Sequence, residues 1–285
     1  MLKWTIGDVT VTRVVEMEFV VDYAVSSDFI AGESPSALAE IEWLKPHFID
    51  VQNNLLMSIH ALLVKTPTMT LIVDTCFGND KPHALLQDSA LATGFLDAIA
   101  AADAPRETID RVICTHLHVD HVGWNTMRVD GQWHPTFPDA RYLFGATEYE
   151  HWRGIDEGDR PQIMAESIQP VFDAGLVDLV ALDHRVCPEI RLMPTTGHTP
   201  GHVSVVIESR GETAIITGDM AHHPCQIARP DWSTSFDSDK AASAATRKAL
   251  FGVVADKPIL MIGTHFVAPT AGYVARDGET YKLAV

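Results

Sequence analysis

The stretch Cys114-Thr115-His116-Leu117-His118-Val119-Asp120-His121-Val122-Gly123 places three imidazoles and one carboxylate within six residues. It follows directly on the apolar run Arg111-Val112-Ile113-Cys114. In an extended chain, side chains at i and i+2 point the same way, so His116, His118 and Asp120 are expected to converge where a strand ends. Gly123 permits a sharp turn that swings His121 toward the same point. Neutral imidazole and carboxylate suit zinc and other borderline divalent ions. A polar loop seldom carries four such groups at this spacing by chance, so the stretch reads as a metal site.

Three more strand-like runs end in a residue of ligand type beside a glycine. His198 follows Ile190–Pro194, Asp219 follows Ile215-Ile216-Thr217-Gly218, and His265 follows Ile262-Gly263-Thr264. With His116, His118, Asp120 and His121 they make seven candidate ligands. One catalytic zinc takes three protein ligands plus water, so seven divide between two ions with one carboxylate shared. Two ions about 3.5–4 Å apart can hold a hydroxide and clamp both oxygens of a displacement.

The elements that must position these residues alternate in type. Trp4–Ile6 and Val9–Val15 read as a hairpin across Gly7-Asp8, and Leu55–Lys65 and Met69–Asp74 as two further strands. From Glu16 to Ile49 the pattern breaks down, apart from a short helical run from Ser34-Pro35 to about Trp43. This excursion is expected near the pocket or at a homodimer interface. Ala84–Ala102 is helical in pattern, with Gly94 its weak point. Strands are expected at Arg111–Thr115 and Arg141–Phe144, and helices at Ala146–Arg153 and Ile163–Ala174. The second half brings strands at Ile190–Pro194, Val203–Glu208, Thr213–Thr217 and Ile259–Gly263. A long Ala-rich helix, Ser238–Ala255, is expected with Asp237 or Ser238 as its N-cap.

Composition narrows the function. With 46% apolar and 21% charged residues, the 285-residue chain is ordinary globular material, expected to be a single domain over 1–285. A formal charge of −17 opposes nucleic-acid or anionic-membrane partners. Cys76, Cys114, Cys187 and Cys225 form no C-x-x-C pair and read as reduced thiols. The opening residues, MLKWTIGD, carry no signal-peptide apolar block, which points to the cytoplasm.

The ordered series His116-x-His118-x-Asp120-His121, Gly197-His198-Thr199, Gly218-Asp219 and Gly263-Thr264-His265 resembles the metallo-β-lactamase superfamily, with Asp74 matching its first motif. The resemblance runs from about Asp74 to His265. It implies an α/β (α+β) fold, the four-layer αββα sandwich of two pseudo-symmetric halves. It further implies one metal on His116, His118 and His198, a second on Asp120, His121 and His265, and Asp219 bridging them. Asp74 would orient a ligand. In the family pattern His202 is structural and lies outside the ligand set. Related lactonases carry a Tyr near His222 and His223, so either His is a candidate hydrogen-bond donor or proton relay, set against an exposed surface pair. His47, His60, His83, His134, His151 and His184 read as surface or core residues, and Trp124 and Asn125 as pocket lining or turn packing.

Within the superfamily, His at position 121 indicates a dinuclear hydrolase. Size and the Glu16–Ile49 excursion resemble the branch of N-acyl homoserine lactonases and methyl parathion hydrolase-like enzymes. The expectation is a hydrolase with two divalent ions, zinc first and Mn²⁺, Co²⁺ or Fe²⁺ also suited, opening a small-molecule ester, foremost a lactone, by attack of a metal-bridging hydroxide. Asp120 would orient that hydroxide and carry its proton to the leaving group, with His222 assisting. The alternatives are an aryl-ester or phosphotriester hydrolase, a thioester hydrolase of the glyoxalase II type and, further off, a mononuclear-iron sulfur oxidoreductase.

Overall fold

β-Branched and apolar runs bounded by turn residues form the strands of this protein, described for residues 1–285 in a computed structural model. The chain gathers into two compact units. One comprises Met1, Lys3–Glu16 and Ile59–Leu182, and the other Leu2, Met17–Ser58 and Asp183–Val285.

The first unit is built on a seven-stranded sheet in the order β1-β2-β3-β4-β5-β8-β9. Its strands are β1 (Lys3–Ile6), β2 (Val9–Val21), β3 (Leu55–Lys65), β4 (Thr70–Val73), β5 (Arg111–Ile113), β8 (Arg141–Gly145) and β9 (Val177–Val180). A separate hairpin is formed by β6 (Thr126–Val129) and β7 (Gln132–Pro135). β1 and β2 pair as expected, Ile6 opposite Val9. β2 then continues through Glu16 to Val21, where the sequence pattern had broken down, and both β2 and β3 begin in one unit and end in the other. β4, β5, β8 and β9 run parallel, with Val73, Ile113 and Leu143 in register. Parallel strands are covered on both faces, which explains why Leu71–Val73, Val112, Ile113 and Tyr142–Phe144 are all buried. Because their ends fall in one row, the loops that leave them emerge together.

Expected helices change where backbone chemistry intervenes. Ala84–Leu86 is a single 3-10 turn, Gln87 and Asp88 adopt positive φ, and the α-helix starts only after Gly94, at Phe95–Ala101. The run from Arg160 to Asp173 widens into a π turn at Met164–Ile168. Pro170 lacks an N–H and crowds the carbonyl four residues earlier, and the Thr126 hydroxyl takes over that Glu166 oxygen at 2.6 Å.

The second unit carries a six-stranded sheet in the order β10 (Ile190–Pro194), β11 (Val203–Ser209), β12 (Glu212–Ile216), β13 (Ile259–Ile262), β14 (Ala271–Asp277), β15 (Thr280–Ala284). β12 and β13 are parallel, Ile216 beside Ile262, so the loops carrying Asp219 and His265 leave the same edge. The helix Lys240–Val254 buries Ser243, Arg247, Phe251 and Val254, a stripe at helical spacing. Its N-cap is Asp239, whose carboxylate accepts from Ala242 N at 2.9 Å, rather than the expected Asp237 or Ser238, and the Asp237 carboxylate is used elsewhere. Phe48, Met57, Ile215, Met261 and Phe266 belong to the same apolar core. No helix is long and apolar enough to cross a membrane.

Candidate metal centre

In the first unit the loop carrying the candidate ligands leaves β5 directly beside the end of β4. Asp74 N donates to Ile113 O at 2.9 Å, and the Asp74 carboxylate accepts from Thr115 N at 2.8 Å and from the Thr115 hydroxyl at 2.9 Å. A hydroxyl has one proton. With that proton on Asp74, Thr115 Oγ1 accepts from His116 Nδ1, 3.1 Å away. Asp74 also stands 2.9 Å from His121 Nδ1. Both imidazoles are thereby held with the proton on Nδ1 and Nε2 as the basic nitrogen, the tautomer in which imidazole binds a metal. The His116 ring lies 4.5 Å from that of His118 and 4.1 Å from that of His121, and Asp120 Oδ1 lies 3.6 Å from His121 Nε2.

The loop reaches this arrangement differently from the expected extended alternation. β5 ends at Ile113, and Val119–Val122 is a helical turn, so Asp120 and His121 come from a helix rather than from successive strand positions. The turn is anchored from behind. A Cβ on Gly123 would stand 1.8 Å from Phe77 O, so the next chain segment passes where a side chain would be. Glu16, half-buried on β2, accepts from Phe77 N, Gly78 N and Trp124 Nε1 at 2.8, 3.2 and 2.7 Å. Burial raises its pKa, while these three donors pull it back. Trp124 stacks on Phe95, and Asn125 accepts from the Thr75 hydroxyl, so both pack the turn. On the other side Glu148 accepts from Leu117 N, and Trp152 lies against the His118 ring.

In the second unit, the organising group is Asp219. Three imidazole Nε2 atoms approach its carboxylate: His265 at 3.1 Å, His222 at 3.2 Å and His198 at 3.5 Å. His198 Nδ1 is committed to Asp237 at 2.9 Å, and His265 Nδ1 to Ser58 O at 2.9 Å. Their Nε2 lone pairs therefore face a carboxylate, an arrangement of acceptors that a cation satisfies. That is the test a divalent ion must pass here, and these donor atoms pass it. Asp237 is buried, which would raise its pKa, yet the bond from His198, with His222 and Arg247 nearby, holds it at about 2.

His202 is oriented differently. Its Nε2 accepts from Asp219 N at 2.8 Å and its Nδ1 meets Thr195, so it holds the Asp219 backbone and offers no free lone pair. His222 and His223 are both buried rather than an exposed pair. His223 bonds Phe48 O and caps Cys225 N, and burial lowers its pKa to about 4. His222 Nδ1 has no partner, so its single proton can sit on Nε2 toward Asp219, and burial lowers its pKa too. Elsewhere His47 and His134 are exposed, His60 is buried, and His83 pairs with Asp159 at 2.7 Å. All four cysteines are buried and free.

Comparison with known proteins places this geometry. The profile of the Metallo-beta-lactamase superfamily matches residues 56–261. The chain belongs to the metallo-β-lactamase superfamily. An N-acyl homoserine lactonase of Bacillus sp is 28% identical over 153 residues, 53% of this chain and 54% of that protein. The chain thus spans about half the length of the curated relatives it matches. Among solved structures, a hydrolase AbOPH in the beta lactamase superfamily aligns with a TM-score of 0.80 at 23% identity, covering 100% of this chain and 97% of the other. AidC, a dizinc quorum-quenching lactonase in complex with a product, aligns with a TM-score of 0.78 at 20% identity, covering 99% and 95%. At such identities the likeness concerns the fold alone, the mixed α/β fold of the superfamily.

No local pattern marks the supporting roles of Asp237, Glu16, Glu148 and Arg247. Asp237 was visible only as a cap candidate, since an acidic residue before an Ala-rich helix carries no mark of its distant imidazole partner. Glu16, Glu148 and Arg247 are charged residues in amphipathic or irregular segments, where solvent exposure is the default expectation.

Proposed function

We propose that the protein is a dinuclear metal-dependent hydrolase that opens an ester bond, a lactone first of all. The observation that carries this reading is Asp219, a buried carboxylate faced by the Nε2 atoms of His198 and His265, whose other ring nitrogens are already committed. In this reading His116, His118 and His198 hold one ion, Asp120, His121 and His265 hold the second, and Asp219 is shared. When bound, two such ions supply Lewis acidity and an activated water at neutral pH.

The chain's own residues do the rest. Asp74, Thr115 and Asp237 keep the imidazoles in the ligating tautomer. Asp120, half-buried, takes the proton of the attacking water and delivers it to the leaving oxygen. His222 presents Nε2–H beside Asp219, where a substrate oxygen needs a donor. Phe29 lies 6.5 Å edge-on from His222 and 5.9 Å from Phe236, which is 41% exposed, so apolar surface for an acyl group adjoins that donor. The charge of −17 disfavours polyanionic substrates.

Metal-assayed protein presented with lactones, aryl esters, phosphotriesters, thioesters and β-lactams tests the proposal. About two ions per chain and fastest turnover of a lactone are expected. One redox-active iron with no ester cleavage overturns the reading, and fastest turnover of a phosphotriester or aryl ester moves it to that substrate class.

A further inference from the structure

Arg247 is wholly buried on the helix Lys240–Val254, and each of its three side-chain nitrogens donates a hydrogen bond. Its Nε donates to Pro230 O at 2.9 Å, its Nη2 to Ser233 Oγ at 2.8 Å, and its Nη1 to Ser243 Oγ at 2.7 Å and Met220 O at 3.2 Å. The same Nη1 lies 3.7 Å from Asp237 Oδ2, while Asp237 Oδ1 takes the bond from His198 Nδ1. A guanidinium deep in an apolar core is expensive, and an apolar side chain of similar volume would fill the space at less cost. The placement explains the expense. Met220 is the residue after Asp219, so one cation grips the carbonyl of Asp219's neighbour and lies beside the carboxylate that aims His198.

The His198 loop is seated on the same helix. Ser238 N donates to His198 O and Asp239 N to Gly197 O, both at 2.9 Å. A Cβ on Gly197, whose φ is +129°, would stand 2.3 Å from Ser243 N. The loop therefore lies in backbone contact with the helix turn that carries Ser243, and Ser243 is bonded to Arg247.

We propose that Arg247 is a positioning residue for the metal centre, setting the relative placement of His198 and Asp219 and thereby the affinity of the site they share. The proposal rests on both residues being ligands. Lysine cannot substitute, because the bonds radiate in several directions from a planar fork that a single ammonium does not reproduce.

The test is cobalt(II) titration of metal-stripped full-length protein, read by the visible d–d bands and by chelator competition, with the melting temperature of the metal-free protein measured alongside. Arg247→Met and Arg247→Lys are each expected to bind cobalt about 10–100-fold more weakly than wild type and to shift the d–d bands. Lys248→Met, the exposed neighbouring position, is expected to match wild type. A lower melting temperature with unchanged affinity and spectrum would make Arg247 a packing residue and overturn the proposal. So would an equal loss in Lys248→Met. If the Arg247 variants do not fold, Ser233→Ala, which removes a single anchor, decides: severalfold weaker cobalt binding supports the proposal and unchanged binding overturns it. Wild type that binds no cobalt overturns both this inference and the hydrolase reading beneath it. Tight wild-type binding with unchanged variants overturns this inference alone.

Discussion

Asp74 Oδ2 lies 2.9 Å from His121 Nδ1, although 47 residues separate them in the chain. The parallel register of β4 and β5, Val73 beside Ile113, creates the relationship by bringing two loops out side by side. Asp74→Asn keeps the shape and removes the anion that holds His121. Metal affinity is expected to fall about 10–100-fold, read by chelator competition, with hydrolysis falling in step at limiting metal. Unchanged affinity would show that the amide orients the ring equally well.

Asp219 draws three imidazoles to one carboxylate. Asp219→Ala is expected to abolish hydrolysis and to lower bound metal, measured by elemental analysis of the purified protein. His118→Ala should do the same from the first unit. Full activity in either variant would refute the ligand assignment.

His222 differs from the other two imidazoles at Asp219 because its Nδ1 has no partner. His222→Phe is therefore expected to lower turnover by roughly 10²-fold, the scale of a lost proton donor, while the metal content stays at the wild-type value. An unchanged rate, or a parallel loss of metal, would remove it from the proton-transfer role.

Gly123 has no room for a side chain, since its Cβ would overlap Phe77 O at 1.8 Å. Gly123→Ala is expected to destabilise the protein by about 1–3 kcal/mol or more as the turn is forced outward. Thermal unfolding should show a melting point lower by several degrees, with weaker metal binding because Asp120 and His121 ride on the same turn. A melting point equal to wild type would mean that the loop at Phe77 yields freely.

Glu33 is 6% exposed, its Oε2 has no partner, and burial beside Asp28 raises its pKa to about 7 from 4.5. Between those values the folded protein holds a proton that the unfolded chain has released, so stability falls as pH rises from about 4.5 through about 7 and is flat for this group above that. Chemical denaturation at pH 5 and pH 8 should show wild type losing on the order of 1–2 kcal/mol more than Glu33→Gln across the interval. Equal losses would mean that Glu33 is ionised at both pH values.

How much was legible in the residues varies along the chain. The strands from Ile190 to Gly263 fall within one or two residues of their expected ends, because apolar β-branched runs between Gly and polar turns admit few alternatives. The C-terminal hairpin of β14 and β15 and the strand β9 were not anticipated. Their alternation is weak, and they are defined by the neighbours they pair with. The helix expected over Ala84–Ala102 survives only as Phe95–Ala101, because Gln87 and Asp88 take left-handed backbone and Gly94 stands at the helix N-cap.

The sequence by itself determined which side chains are of ligand type and the order in which strand ends deliver them, since short-range spacing and residue chemistry suffice for that. It also determined the family, through motifs in a set order. Only the tertiary structure decided how those side chains are held. Asp74 on His121, Asp237 on His198, His202 under Asp219 and Arg247 behind them are contacts between segments apart in the chain, and strand register and helix docking rather than local spacing bring them together. The stretch around His116 announced the chemistry, and the buried polar partners behind it set the tautomers on which that chemistry depends.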